Sequence, residues 1–221
     1  RDVAPSRGLG DVYKRQPWYN DDNTYSVNQE GCYYSKYEAR DLLKTFVKKF
    51  KGSDLDKKGV KVSMFESGSM EGDDSSCAAY MDCILGRGPK YVFKNAKLRK
   101  YFKEVSMHSD WSGADTKKNA ENYFSDKYSK YSVAATEYCQ MTDDKNTGVY
   151  DLIAKEKNGT NGTSIKYGVA MANTIVDDLT IMNANEWDWW TACSYGTYTD
   201  GLIYLDEDNH ENLDFSKRYY C

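Results

Sequence analysis

The chain has no hydrophobic run approaching the ~18 residues that a membrane-spanning helix needs, so a membrane partner is not expected. It has only three prolines and sixteen glycines, which indicates few linkers. It also lacks a surplus of basic charge: 30 Lys and Arg stand against 34 Asp and Glu, a net charge of −4. That balance argues against a nucleic-acid partner held by counterion release. The six cysteines show no framework spacing, and a chain of this size does not need cross-links to fold. Cys139 and Cys193 are expected to be small buried packing residues instead. What the chain does have is enough apolar mass for a core, at 40 % hydrophobic residues, which excludes a disordered or collagen-like polymer. Its 221 residues suit one large domain or two small ones. Aromatic side chains are abundant, with 20 Tyr, 5 Trp and 7 Phe, many beside Asn, Asp or Gly. Aromatic rings among polar groups suit a ligand with apolar faces and hydroxyl edges, as a sugar has.

The first sixteen residues stand apart. Ser6 to Gln16 resembles the conceptual translation of an adaptor used to prepare sequencing libraries, so residues 1–16 are set aside as non-native. The expected organisation is therefore an adaptor-derived segment, 1–16, followed by a partial catalytic domain, 17–221. Because a chain that opens this way is expected to be a gene fragment, the missing signal peptide carries no information on localisation.

From residue 35 onward the pattern is regular. Ser35-Lys36-Tyr37-Glu38 is a capping box, in which the serine caps the third helical amide and the glutamate reaches back to the cap amide. Behind it Ala39, Leu42, Leu43, Phe46, Val47 and Phe50 recur at three- and four-residue spacing, predicting a helix that ends near Gly52. Strand-type runs follow at 60–65, 104–108, 131–136 and 185–191. Between them, helices are predicted at 76–86, 94–102, about 115–129 and 164–182. The last of these is expected to turn Val169, Ala172, Ile175, Val176 and Leu179 inward. Four alternations of short strand and longer helix argue for parallel βα units. They match half of an eight-unit barrel, although a doubly wound sheet has the same alternation.

In a βα barrel, chemistry gathers at the C-terminal ends of the strands. Those ends are Glu66, His108 with Trp111, Glu137 with Tyr138, and Trp189 with Trp190. Carboxylates, an imidazole and indoles are what glycoside cleavage uses: one carboxylate attacks, another protonates the leaving oxygen, and aromatic faces hold the ring. The motifs Gln29-Glu30-Gly31-Cys32-Tyr33-Tyr34-Ser35, Phe65-Glu66-Ser67-Gly68-Ser69, His108-Ser109-Asp110-Trp111, Thr136-Glu137-Tyr138-Cys139 and Trp189-Trp190-Thr191-Ala192 occur in an order that resembles glycoside hydrolase family 30. Asp200 to Asp206, followed by Ser216-Lys217-Arg218-Tyr219, looks most like its endo-β-1,6-galactanase-type branch.

The resemblance covers residues 17–221 and implies a fold class: α/β, the C-terminal half of a (β/α)8 TIM barrel, strands five to eight. It implies a retaining hydrolase acting on β-linked galactan, with Glu137 as the nucleophile. His108, Trp111, Tyr138, Trp190, Glu66, Trp18 and Glu30 are implied as substrate-binding residues. The family's acid/base is a Glu in an Asn-Glu-Pro motif, which this sequence lacks. Pro17 stands where that motif would end, with Gln16 before it, and Gln has no titratable proton. The chain alone is therefore expected to be inactive.

Some residues have plainer readings. His108 is expected to be a hydrogen-bonded pocket histidine and not a metal ligand, since no partner in the sequence has ligand spacing; no metal and no cofactor are expected. Glu186 departs from the small residue usual at its position in the family, and a charge there must find a partner or point to solvent. Asn158 and Asn161 open formal glycosylation acceptors. Asp206-Glu207-Asp208 lacks the glycine of a calcium loop and reads as a solvated turn. The alternatives to a galactanase are a β-glucanase or β-xylanase of the same family, or a non-catalytic sugar-binding barrel remnant. In either case the partner is a polysaccharide or oligosaccharide. A polymer cannot be taken up whole, so the intact parent is expected to be secreted or held at the cell surface.

A half-barrel leaves strands five and eight with open edges. Residues 17–221 are therefore expected to aggregate or dimerise, which light scattering would detect. A monodisperse sample with one sharp cooperative melt would contradict this.

Overall fold

A computed structural model of the chain describes residues 35–63, 70, 77–85, 100–102, 104–140, 164–195, 200–206 and 212–221, and the backbone alone at 18–19, 25–26, 85 and 195. Two short antiparallel strands come first, β1 (Trp18–Tyr19) and β2 (Tyr25–Ser26). The capping box then opens α1 (Lys36–Phe50) as its sequence predicts: the Ser35 side chain accepts from the Glu38 amide, and Glu38 accepts from the Ser35 amide at 2.9 Å. The buried face is Ala39, Leu43, Val47 and Phe50, and the helix stops at Lys51 before Gly52, whose φ of +81° only glycine adopts without strain.

Two compact units divide the chain, residues 1–107 with 123–132 and residues 108–122 with 133–221. In the first, α1 packs on α3 (Cys77–Leu85), and a single turn, α2 (Asp54–Lys57), lies between them in sequence. The thiol of Cys83 donates to the Lys36 carbonyl and that of Cys77 to the Ser106 carbonyl on β3 (Glu104–His108). Every residue of β3 is buried, as in a strand covered on both faces. The Tyr128 hydroxyl, at the end of α4 (Ala114–Tyr128), donates to Asp82 of α3. Two expectations change here. Residues 100–102 are a turn with a parallel bridge from Phe102 to Val62 and not helix, and in the predicted run at 60–65 the bridge at Val62 is the pairing found among the described residues. Glu30 and Glu66 lie outside the described residues, as does the side chain of Trp18.

In the second unit, the end of β3, then β4 (Ser132–Tyr138) and β5 (Ala184–Trp189) line up in one sheet in that order. β4 and β5 run parallel, and the connection between them includes α5 (Ile165–Thr180). The architecture is therefore mixed α/β with parallel pairing. A second sheet, not legible in the sequence, follows: β6 (Cys193–Tyr195) parallel to β7 (Ile203–Leu205), which is antiparallel to β8 (Leu213–Phe215). The short helix α6 (Lys217–Tyr220) comes last. The Arg218 guanidinium is buried at the centre of this region, donating to Gln140 Oε1 at 3.0 Å, the Gly201 carbonyl at 2.9 Å and the Tyr204 hydroxyl at 2.7 Å. All five described cysteines are free thiols; Cys139 is buried as expected, but Cys193 is exposed on β6.

The inward face of α5 is not the one expected. Val169, Val176 and Leu179 are 51 %, 55 % and 44 % exposed, while Tyr167, Gly168, Ala170, Met171, Thr174 and Asp178 are buried. The helix is apolar on more than one side, so periodicity could not choose between them. Close fit does. A Cβ at Gly168 would stand 2.6 Å from Cys221 Sγ and 3.0 Å from the Lys217 carbonyl oxygen, so only glycine admits α6 at that distance. Met171→Ala is therefore expected to cost about 2–5 kcal/mol, whereas Val176→Lys stays within about 0.5 kcal/mol of the parent chain. Urea unfolding midpoints of the two variants check this.

Candidate active site

β3 delivers His108 to the edge of β4, and the turn after it is tied to that strand from both sides. The Ser109 amide donates to the Glu137 carbonyl at 3.0 Å, and the Cys139 amide donates to Asp110 Oδ1 at 2.9 Å. The Trp190 amide donates to the Tyr138 carbonyl at 3.0 Å, so the chain leaving β5 is pinned to β4 at the same level. His108, Asp110, Glu137 and Trp190 are thus gathered from three chain segments, each of which the sequence places at a strand end.

The orientation of Glu137 follows from an irregularity. Ala135 pairs with Trp187 and Tyr138 with Trp189, so Thr136 and Glu137 together face one residue, Asp188. Two residues against one is the signature of a β-bulge, which re-aims a side chain at a strand end. Side chains alternate across a strand. Tyr138, Trp187 and Trp189 accordingly share one face, with ring centroids 5.8–6.2 Å apart. Glu137, Glu186 and Asp188 take the other. Tyr138, expected to touch sugar, is fully buried in that aromatic cluster and packs instead. Strand β4 starts one residue later and ends two residues later than the predicted 131–136, so Glu137 sits inside the strand and not after it.

The Glu137 side chain retains 13 % of its exposure. Its Oε1 lies 3.6 Å from His108 Nδ1, and Asp110 Oδ2 lies 3.5 Å from the same nitrogen. Asp110 is nearly fully buried and held by the Cys139 amide, so it cannot reach a substrate and serves as support. The sequence spacing gives His108 no ligand partner because its second carboxylate comes from a neighbouring strand, 29 positions away; in space the two carboxylates and the imidazole offer donor atoms within 4.8 Å of one another. Burial, with the nearby carboxylates of Asp110, Asp200 and Glu137, pushes the Cys139 thiol well up, so it stays protonated and is no nucleophile. Trp111 is half-buried with φ +54°, a left-handed backbone position that costs a residue with a side chain roughly 1–2 kcal/mol. Such strain persists where the surroundings fix it, and functional sites collect it. Trp190 is half-buried, and its peptide bond to Thr191 is cis.

Beneath the site lies a group that the sequence reading missed. Asp178 of α5 is fully buried and takes Ser109 Oγ at 2.8 Å, Trp187 Nε1 at 2.9 Å and Lys117 Nζ at 2.9 Å. Lys117, on α4, is 1 % exposed. Burial pushes the Asp178 carboxyl up, and the Lys117 cation and the two other donors pull it back down. Nothing in a one-dimensional pattern joins positions 117 and 178. An aspartate near the end of an apolar helix was the available signal.

Comparison with known proteins gives three findings. The family model described as O-Glycosyl hydrolase family 30 matches residues 12–204. The crystal structure of a conserved exported protein from Bacteroides fragilis is similar at 21 % identity with a TM-score of 0.60, covering 88 % of this chain and 41 % of that one. The catalytic domain of a GH30 xylanase C from Talaromyces cellulolyticus aligns at 11 % identity with a TM-score of 0.45, covering 91 % and 38 %. The chain thus spans about two fifths of each of these structures. No curated protein matches.

Removing one member of a buried ion pair strands the other, so Lys117→Met is expected to cost about 3–5 kcal/mol at neutral pH. Burial holds the folded pKa of Asp178 above its unfolded value. The folded state then binds the proton more tightly, and stability from this group is greatest at low pH and is lost as pH rises through the folded pKa. The Lys117→Met deficit should therefore shrink on mild acidification, and urea unfolding at two pH values reads it. A deficit that grows would contradict the assignment.

Proposed function

Because the chain belongs to O-glycosyl hydrolase family 30, we propose that it is the strand-five-to-eight half of a retaining (β/α)8 glycosidase, residues 17–221, with Glu137 as the attacking carboxylate. The observation that carries this is the placement of Glu137: re-aimed by a bulge, partly exposed, and flanked at 3.6 Å by His108. In a retaining reaction the carboxylate attacks the anomeric carbon and forms a glycosyl-enzyme, which water then hydrolyses with help from a second carboxyl group about 5–5.5 Å away. His108 and Asp110 hold the attacking group in place from one side. Trp190, half-exposed beside Tyr138 at the end of β5, offers an indole for the sugar bound at the bond to be cleaved. Trp111 is assigned to a neighbouring subsite.

The second carboxyl group is the acid/base, and the sequence has Gln16 before Pro17 where the family's Asn-Glu-Pro would place it. Asp110 cannot replace it, being buried and already bonded to an amide. The chain as it stands is inactive on this account, and the intact parent is a hydrolase. The substrate assigned is a β-linked galactan, from the likeness of 200–206 and 216–219 to the endo-β-1,6-galactanase-type branch. A polymeric substrate places the parent outside the cell or on its surface.

Restoring an upstream half that carries Asn-Glu-Pro ahead of Trp18 should give hydrolysis of β-1,6-galactan, measured as released reducing ends. Glu137→Gln in that protein should lower kcat by on the order of 10⁴-fold, the scale at which loss of a reacting side chain is felt. Azide should rescue Glu137→Ala with inversion at the anomeric carbon. Activity that survives Glu137→Gln would end the assignment, and sugar binding without turnover in the restored protein would favour a binding module.

A further inference from the structure

The donor set beside Glu137 can do something that glycoside cleavage does not require. We propose that His108, Asp110 and Glu137 bind a divalent transition-metal ion of the zinc and cobalt class, and that this ion blocks the site. Binding does not rest on the hydrolase reading; only its consequence for turnover does.

The distances are the first support. His108 Nδ1 stands 3.5 Å from Asp110 Oδ2 and 3.6 Å from Glu137 Oε1. Both exceed the ~2.7–3.2 Å of a well-formed N–H···O bond. They approach the spacing of about 3.4 Å that two donors have when each lies ~2.0–2.1 Å from one tetrahedral zinc. All three donors fall within 4.8 Å of one another, so small side-chain movements suffice to close around a shared ion.

The chemistry of the donors selects the ion. Three carboxylate or carbonyl oxygens would suit magnesium or calcium, but an imidazole in the set favours zinc, cobalt, nickel or copper. The surroundings are those of a metal site with its supporting groups in place. The Cys139 amide holds Asp110 Oδ1 at 2.9 Å and leaves Oδ2 for the ion. Ser109, between the two ligands of the turn, is fixed by its Oγ to Asp178 and by its amide to the Glu137 carbonyl. His108 and Asp110 are buried, whereas Glu137 is partly open, so the ion sits on the open side with water completing its shell. There it holds the oxygen lone pair that would attack the sugar. The ion is then a competitor of substrate and not a cofactor.

The test uses this chain with Cys32, Cys193 and Cys221 changed to Ser, which removes the thiols outside the described core and the two exposed ones as rival ligands. Cobalt(II) titration should give one saturable site with visible d–d absorption. His108→Ala and Asp110→Asn should each weaken it on the order of a hundredfold or more, since even outer-shell losses at metal sites cost 10- to 100-fold. Equal cobalt uptake in His108→Ala would overturn the proposal. As a second measurement that needs no variant of the site, zinc chloride and not magnesium chloride should raise the urea unfolding midpoint of the same chain, since an ion held by the folded site alone stabilises it. An unchanged midpoint with zinc would likewise overturn it.

Discussion

The second unit depends on one buried carboxylate. Asp178 brings together the turn after β3 through Ser109, helix α4 through Lys117 and strand β5 through Trp187, while itself belonging to α5. A charge taken out of water costs several kcal/mol unless its lone pairs are filled. Here two donors besides the cation fill them, each from a different element. The arrangement also has direction, because every one of those elements must be in place before the carboxylate is satisfied. The site inherits that order. Ser109 is held below by Asp178 and across by the Glu137 carbonyl, which leaves His108 and Asp110 on either side of it little freedom to drift.

The sheet above this anchor separates packing from chemistry by alternation alone. Tyr138, Trp187 and Trp189 fill one face with aromatic surface, and Trp189 Nε1 finds the Asp200 carbonyl at 2.8 Å so that its polar edge is not stranded. Glu137, Glu186 and Asp188 line the other face. Without the extra residue between Ala135 and Tyr138, strict alternation against β5 would not keep both Tyr138 with the tryptophans and Glu137 with the acids at this register. The bulge is thus part of how a reactive group and a core residue come to be neighbours in sequence.

Legibility in the sequence followed the range of the interaction. The start, stop and buried face of α1 could be read directly, because a capping box, a spacing of three and four and a glycine stop are all local. The span of α5 was equally plain, but its orientation was not. Which apolar side turns inward is set by Gly168 against Lys217 and Cys221 and by Asp178 against Lys117, contacts made by distant positions. In the site, Glu137, His108 and Trp190 were visible as strand-end residues of the right chemistry. Tyr138 was misjudged because adjacent residues on a strand face opposite ways, and Asp110 was undervalued because its partner amide arrives from another strand. The three short strands β6 to β8 left no periodic signal at three residues each.

Arg218 shows what such distant contacts mean for inheritance. Its two terminal nitrogens reach three acceptors on two stretches of chain, and its charge lies over the rings of Tyr167 and Trp189, 5.5 and 5.6 Å from their centres. A lysine carries the same charge on a single point and has no flat plane to lay against an indole. A codon change that is harmless on most surfaces would here leave at least one acceptor in the dark interior unanswered. Among descendants of this gene, the drift between the two basic residues should halt at this position.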